Sequence, residues 1–265
     1  MRPIAARLAA LACAWLSASS AFAFIDITVA KTERNSQTGD APPVLRTTDI
    51  YVSIFADGAT NITLTGPGGI PAVGTYDGGG SYGYYTEDLP SRAAMDLLLP
   101  EGEYIVQVTG GLHDGQSHTF AIGPDWWPAV PQFTQATMAA LSGPVDPSKD
   151  LLIEWAPFEP AGSAPQPRLS LYGGPLFERY LPLSMTSVLI PGGTLDPGQN
   201  TLSLHFVNSR EGFENIAGEF VIRTIDVAST TTVQFTVAAI PEPSTWAMLG
   251  AGVAFLAFAT RASRR

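Results

Sequence analysis

Side chains that could do chemistry are scattered through the sequence, and none has a spacing that specifies a reaction. His113, Asp114 and His118 could ligate a metal, but the five-residue step between the histidines on a glycine-containing loop differs from zinc-ligand spacings. Among 24 acidic residues, a glycosidase-like carboxylate pair is expected by chance. The sequence has no G-x-S-x-G elbow, no H-E-x-x-H pair and no phosphate-binding glycine loop. We therefore expect a protein that is not an enzyme and holds no metal or cofactor.

Aromatic side chains form the other candidate site. Three tyrosines lie in or beside a glycine-rich stretch and two tryptophans follow at mid-chain: Tyr82, Tyr84, Tyr85, Trp126 and Trp127. Exposed on one surface, these rings would give flat apolar contact area for the faces of pyranose sugars and would bind polysaccharide. In the alternative, which we favour, Tyr82 and Tyr84 face a core and the tryptophans fill a seam between modules.

The segments that would position these residues are typical of β-strands. Runs rich in Val, Ile, Thr and aromatic residues recur between Gly, Pro and Asp clusters. The predicted strands are 50–55, 61–65, 104–109, 151–155, 168–172, 201–207, 220–227 and 232–237. Leu202, Leu204 and Phe206 alternate with polar residues, among which we count His205 and Asn208 as outward-facing. Short helices are expected only at 91–99 and 132–141, since 22 prolines argue against long ones.

A weak internal repeat indicates how the strands are grouped. The turn from Leu98 leads into the strand at Tyr104, and a similar turn from Leu195 leads into the strand at Thr201. A Leu, Pro, Gly turn before an alternating strand resembles the E to F corner of immunoglobulin-like and fibronectin type III-like sandwiches, with Tyr104 as a tyrosine corner. The predicted fold is mostly β, with one or two such β-sandwich modules. The predicted boundaries are 24–125 and 132–238, with a proline-rich linker at 126–131.

The N-terminus has the pattern of a secretory signal peptide over residues 1–23. A basic start precedes an apolar run from Leu8 to Leu16, and the small residues Ala21 and Ala23 form the cleavage site for signal peptidase. Cys13 is the only cysteine and leaves with this segment. The exported protein would have no disulfide, so its stability would depend on apolar cores.

The charge of the exported part limits its partners. Between the two terminal segments, nine basic residues stand against 23 acidic ones, which gives a net charge of −14. Such a surface repels polyphosphate, so nucleic acid is not an expected partner. A calcium-bridged association with anionic polysaccharide stays open.

The C-terminus combines a proline motif, an apolar run and arginines. Pro241, Glu242 and Pro243 begin it, and the 18 residues between Glu242 and Arg261 carry no charge. An apolar run of that length predicts a transmembrane helix over about 244–260. The positive-inside rule would keep the basic end in the cytoplasm. The arginines concerned are Arg261, Arg264 and Arg265.

These three features in this order resemble the PEP-CTERM sorting signal of Gram-negative bacteria, a tail also described as an ice-binding protein C-terminal domain. The resemblance covers 239–265 and implies recognition of Pro241, Glu242 and Pro243 by an exosortase-type membrane protease. It further implies a transient inner-membrane anchor, followed by delivery to the cell surface or extracellular matrix. An ordinary single-pass anchor is the alternative.

The resemblance says nothing about the body of the protein, so its role is a separate expectation. We expect a non-catalytic structural or adhesive protein of the cell envelope or exopolysaccharide matrix. A polysaccharide-binding module protein is the first alternative, and a secreted hydrolase with a carboxylate pair is the second.

Overall fold

The computed structural model describes residues 24–71, 81–159, 166–173, 177–216 and 219–239, and within them the chain is mostly β, as predicted. The strands are β1 (Phe24–Ser36), β2 (Val44–Ala56), β3 (Asn61–Thr65), β4 (Ser81–Leu89), β5 (Gly102–Thr109), β6 (Ser117–Ile122), β7 (Leu151–Glu154), β8 (Gln166–Gly173), β9 (Phe177–Leu181), β10 (Ser187–Ile190), β11 (Gly198–Ile216) and β12 (Glu219–Val237). The helices are α1 (Arg92–Leu98) and α2 (Gln135–Leu141). The predicted signal peptide and transmembrane helix lie outside the described residues.

A seven-stranded sheet runs through the whole body, in the order β4-β2-β1-β12-β11-β8-β9. Its strands pair antiparallel except at the centre, where β1 and β12 are parallel over 13 residues, from Phe24 opposite Phe220 to Ser36 opposite Thr232. Two smaller sheets accompany it, one of β3-β5-β6 and one of β10-β7.

The first hydrophobic core lies between the seven-stranded sheet and the sheet β3-β5-β6. Period-two alternation in β2 and β3 buries Ile50, Val52 and Ile54 on one side and Ile62 and Leu64 on the other. The helix α1 begins at a Ser91 cap, whose Oγ accepts a hydrogen bond from the Ala94 N–H, and it adds Met95 to this core.

A second core forms where the other half of the large sheet faces β10-β7 and α2. Leu202, Leu204 and Phe206 of β11 are fully buried there, as their alternation predicts, and Trp155 packs among them. The helix α2 is capped by the Thr134 side chain and contributes apolar residues to the same core.

The longest elements differ from the prediction, because the two strands predicted at 220–227 and 232–237 are one strand. The residues between them are small and polar, and the sheet buries Ser229, Thr230 and Thr231 where the sequence alone indicates a break. Asn208 also differs from the prediction, since it is fully buried on the same face as Phe206 and is not turned outward. Together β11 and β12 form a hairpin that reaches from the second core to the first, which receives Val221 and Ile225.

Candidate functional site

The strand β1 changes character halfway along one face. Ile25, Ile27 and Val29 bury apolar side chains in the first core, and the next two residues on that face are Lys31 and Glu33, which are equally buried. Burial of charge is unfavourable without partners. This half of β1 therefore has to be neutralised by residues from elsewhere in the chain.

The partners form a compact charged group that we call the junction cluster: Lys31, Glu33, Arg92, Asp96 and Asp125. The Lys31 Nζ lies 2.9 Å from the Asp96 Oδ1 and 3.0 Å from the Asp125 Oδ2. Arg92 donates to both carboxylate oxygens of Glu33, in the bidentate arrangement that is stronger than a single contact. The cluster joins β1, α1 and the segment after β6, so it ties together three separate parts of the sequence.

The two tryptophans predicted to fill a seam lie beside this cluster. Trp127 lies beneath the Arg92 guanidinium, whose carbon is 4.3 Å from the ring centroid, and Trp126 lies similarly beneath Arg210 at 4.1 Å. Both rings are partly buried against the first core. Asn208 donates from Nδ2 to the Trp126 carbonyl at 2.7 Å, which links the segment to β11 of the second core.

A cleft of about 570 Å³ opens at the junction cluster, lined among others by Asp96, Asp125 and Trp127. Two carboxylates in a cleft are the arrangement that a glycosidase needs. Here the Lys31 ammonium contacts both of them, so the two carboxylates share one cation. The cluster is partly buried, with Lys31 2% exposed and Asp96 49% exposed.

The three tyrosines do not share one surface. On β4, Tyr82 is opposite Ile54 and Tyr84 is opposite Val52, so both point to the first core, and Tyr85 points to the other face. Tyr82 donates its hydroxyl to the Pro71 carbonyl at 2.7 Å. Burial, with a smaller contribution from Tyr84, raises the pKa of Tyr82 to about 12. The alternation of side chains along a strand therefore separates the rings that the sequence places together.

The face to which Tyr85 points is the side of the large sheet opposite the first core, which we call the outer face. Tyr85 is opposite Tyr51 of β2, and both rings are about half exposed. The aromatic set predicted from the sequence does not include Tyr51, although the alternation of β2 indicates its direction, because Ile50 and Val52 flank it and face the core. Tyr85 is thus the one member of the predicted aromatic set that is both exposed and on the sheet face.

The histidines do not form a metal centre among the described residues, where no group of three ligand-type side chains comes together. His113 and His118 both lie within hydrogen-bonding distance of the Gln116 Oε1, from Nδ1 at 3.2 Å and from Nε2 at 3.0 Å. His205 is on the outer face, with its Nδ1 2.9 Å from the Thr230 hydroxyl. Burial, assisted by the positive charge of Arg34, lowers the pKa of His205 to about 4.

Comparisons with known proteins give information on the C-terminal end of the chain. No curated protein matches it. Among solved structures, the human OSCAR ligand-binding domain aligns with 78% of this chain and 98% of its own, at 14% identity and a TM-score of 0.22, and at that TM-score the alignment carries no argument. In the described part of the chain no helix is long and apolar enough to cross a membrane.

The family model that matches is described as the PEP-CTERM protein-sorting motif, and it covers residues 239–265. The tripeptide of Pro241, Glu242 and Pro243 and the three arginines fall within this match. The chain therefore carries a PEP-CTERM sorting motif, which identifies it as an exported protein that is sorted by exosortase and anchored in the membrane on its way to the cell surface.

Proposed function

We propose that this protein is a non-catalytic structural or adhesive component of the cell envelope or exopolysaccharide matrix. The observation that carries the proposal is the sorting motif at 239–265. The N-terminal residues have the pattern of a signal peptide, with Ala21 and Ala23 at its cleavage site, and a signal peptide would direct the chain to export. The body that is delivered would act as a rigid pair of modules.

We infer that the first module is an immunoglobulin-like sandwich. Strands β1, β2 and β4 correspond to A, B and E on one sheet, and β3, β5 and β6 correspond to C, F and G on the other. Tyr104 stands at the start of β5, and its hydroxyl lies 2.9 Å from the carbonyl of Pro100, four residues upstream. This is the geometry of a tyrosine corner. Its OH also lies 3.0 Å from the Pro67 carbonyl, which ties the corner to the chain after β3.

We assign the second module to the same class on its strand order. The pair β7 and β10 corresponds to B and E, and β12-β11-β8-β9 corresponds to G, F, C and C′. A parallel bridge from Val145 to Val237 supplies the short strand that accompanies G at the edge of such sandwiches.

The connection between the modules supports a structural role. The hairpin of β11 and β12 belongs to the second module and pairs along β1 of the first, so both modules share one hydrogen-bonded sheet. At a rise of about 3.3 Å per residue, the 19 residues of β12 span about 63 Å. A sheet that crosses the boundary opposes hinge motion, unlike the flexible linker that usually joins domains.

Polysaccharide binding is a second candidate function, favoured by the exposed Tyr51 and Tyr85 on the outer face. The junction cluster does not favour a hydrolase, because Asp96 and Asp125 are both paired with the Lys31 ammonium. A matrix component and a polysaccharide binder are compatible, since adhesion to the matrix needs a surface that binds it.

The proposal is tested by fractionation of native host cells. Replacement of Pro241, Glu242 and Pro243 by alanine should leave the protein in the inner membrane, whereas the wild type reaches the surface. A matched control replaces the exposed Pro157 and Glu159 by alanine, which removes the same residue types far from the tail. Equal surface delivery of the tail variant and the wild type would refute the sorting role. Measured turnover of a polysaccharide by the purified chain would refute the non-catalytic role.

A further inference from the structure

The outer face of the first module presents four aromatic rings in two pairs. Tyr51 and Tyr85 are cross-strand partners, and Phe24 and Phe55 lie further along the same face with ring centroids 5.3 Å apart. All four are between 37% and 53% exposed. Phe55 follows Tyr51 by four residues on β2, so the two pairs are about 13 Å apart along the strand.

Charged groups lie directly beside the tyrosine pair. Tyr85 donates its hydroxyl to the exposed Glu87 at 3.0 Å. Arg34 donates from Nε to the Oδ2 of Asp49, whose side chain is only 5% exposed. The pKa of the Tyr85 phenol is raised, first by burial and then by the hydrogen bond to Glu87 and the negative charges of Asp49 and Glu87. The positive charge of Arg34 acts in the opposite direction and lowers it.

The ion pair between Arg34 and Asp49 leaves part of the Arg34 guanidinium able to donate further hydrogen bonds at this surface. The side chain of Arg34 is 55% exposed, and among the described residues only its Nε has a partner, which leaves both terminal amino groups available. The buried carboxylate of Asp49 fixes the guanidinium, so less side-chain entropy is lost when Arg34 binds a ligand. The Asp49 Oδ1 is itself buried without a hydrogen-bond partner among the described residues.

We propose that this face is a binding site for a neutral polysaccharide, with Tyr51 and Tyr85 stacking on sugar rings and Arg34 and Glu87 hydrogen bonding to adjacent hydroxyls. The proposal rests on the adhesive function above and gives it a ligand class and a site. A pyranose has an apolar C–H face and a rim of hydroxyls, which matches flat rings bordered by a donor and an acceptor. The second aromatic pair suits a polymer that extends beyond one sugar.

Charge decides against the other polymers of a bacterial surface. The site combines one guanidinium with two carboxylates, and the exported part carries a net charge of −14. A polyanion would be repelled by this surface. A purely apolar partner would desolvate the exposed groups of Arg34 and Glu87 without new hydrogen bonds, which is costly. A neutral, hydroxyl-rich chain avoids both penalties.

The test is affinity gel electrophoresis of the full chain in a non-glycosidic detergent, with dextran, hydroxyethyl cellulose or galactomannan in the gel and alginate as the anionic comparison. We expect retardation by at least one of the neutral polymers and none by alginate. The double variant Tyr51→Ala and Tyr85→Ala should bind roughly tenfold more weakly or worse, from the loss of two stacked rings. The matched control is Tyr180→Ala, which removes a ring that is 73% exposed in the second module and should bind as the wild type does.

A second variant guards against a folding defect. Tyr51→Phe with Tyr85→Phe keeps both rings and should retain binding within about threefold. The inference is overturned if none of the three neutral polymers retards the wild type, or if the double alanine variant binds equally well. It is also overturned if sedimentation shows that the wild type is a dimer and that the double alanine variant is a monomer, since the face would then join two copies of the chain. Surface delivery is measured separately by fractionation, so the failure of this site and of the sorting role are distinguishable.

Discussion

Replacement of Lys31 by methionine tests whether the junction cluster stabilises the fold by tying β1 to α1 and to the segment after β6. The Lys31 side chain is 2% exposed, and its ammonium contacts Asp125, which is 14% exposed, and Asp96, which is 49% exposed. Methionine keeps most of the packing volume but leaves the Asp125 carboxylate mostly buried without its cation. Breaking a buried ion pair on one side costs about 3–5 kcal/mol, and solvent at Asp96 places this case near the lower end, at about 3 kcal/mol.

That loss is large enough to measure by urea or thermal denaturation of the full chain. For a protein of this size, about 3 kcal/mol corresponds to a fall in Tm of about 6–12 °C. The control is Lys149→Met, because Lys149 pairs with Asp146 at 3.4 Å on an exposed surface and should change stability by less than about 0.5 kcal/mol. The double variant Lys31→Met with Asp125→Leu should recover part of the loss, since no charge of that pair stays buried. A cost below 1 kcal/mol for Lys31→Met, or equal costs for both lysines, would refute the reasoning.

Two further changes test the first module and the pH response. Tyr104→Phe removes the hydroxyl of the tyrosine corner and should lower the free energy of unfolding by about 1–2 kcal/mol in urea titrations. The control Tyr51→Phe changes a tyrosine at an exposed site and should alter the free energy of unfolding little. Equal effects of the two substitutions would contradict the assigned corner. His205 has a folded pKa of about 4, below the ordinary value of 6.5, so below pH 6.5 the unfolded state takes up a proton that the folded state does not. The contribution of His205 to stability should therefore be complete above about pH 6.5 and fall by about 3 kcal/mol as the pH approaches 4. The variant His205→Gln should lack that part of the slope, and parallel pH profiles for the variant and the wild type would contradict the reasoning.

Much of the β structure could be predicted because alternation is local. The strand at Asn61–Thr65 has the predicted bounds, and Ile62 and Leu64 are buried as their spacing requires. The strand β1 was missed, because its core-facing residues change from isoleucine and valine to Lys31 and Glu33 halfway along. In the sequence alone, the change from apolar to charged residues is typical of the end of a strand. In the folded chain, Arg92, Asp96 and Asp125 supply the counter-charges from distant positions.

The candidate sites are harder to predict, because their residues come together only through strand pairing and tertiary packing. Closeness in sequence grouped Tyr82, Tyr84 and Tyr85, but alternation within β4 places the third ring on the opposite face from the first two. Its true neighbour is Tyr51, and only the register between β2 and β4 reveals that pairing. The place of Trp126 and Trp127 in the proline-rich linker predicts that they fill a seam, whereas their contacts with arginines depend on tertiary packing.

The sorting motif differs from both cases, because a membrane protease reads it as a linear sequence. Its proline tripeptide, apolar run and basic end are visible without any tertiary structure, and the family match at 239–265 covers the segment that the sequence indicated. The body of the protein has no such linear signature, so its role has to be argued from surfaces and contacts.

The intact mass of the protein recovered from surface and inner-membrane fractions of its native host tests most directly whether the C-terminal motif is a sorting signal. We expect a surface species that begins at Phe24 and ends close to Pro241–Pro243, with the arginine-bearing tail removed. A species that retains Arg265 and stays in the inner membrane would contradict it, and the C-terminal segment would then be an ordinary anchor.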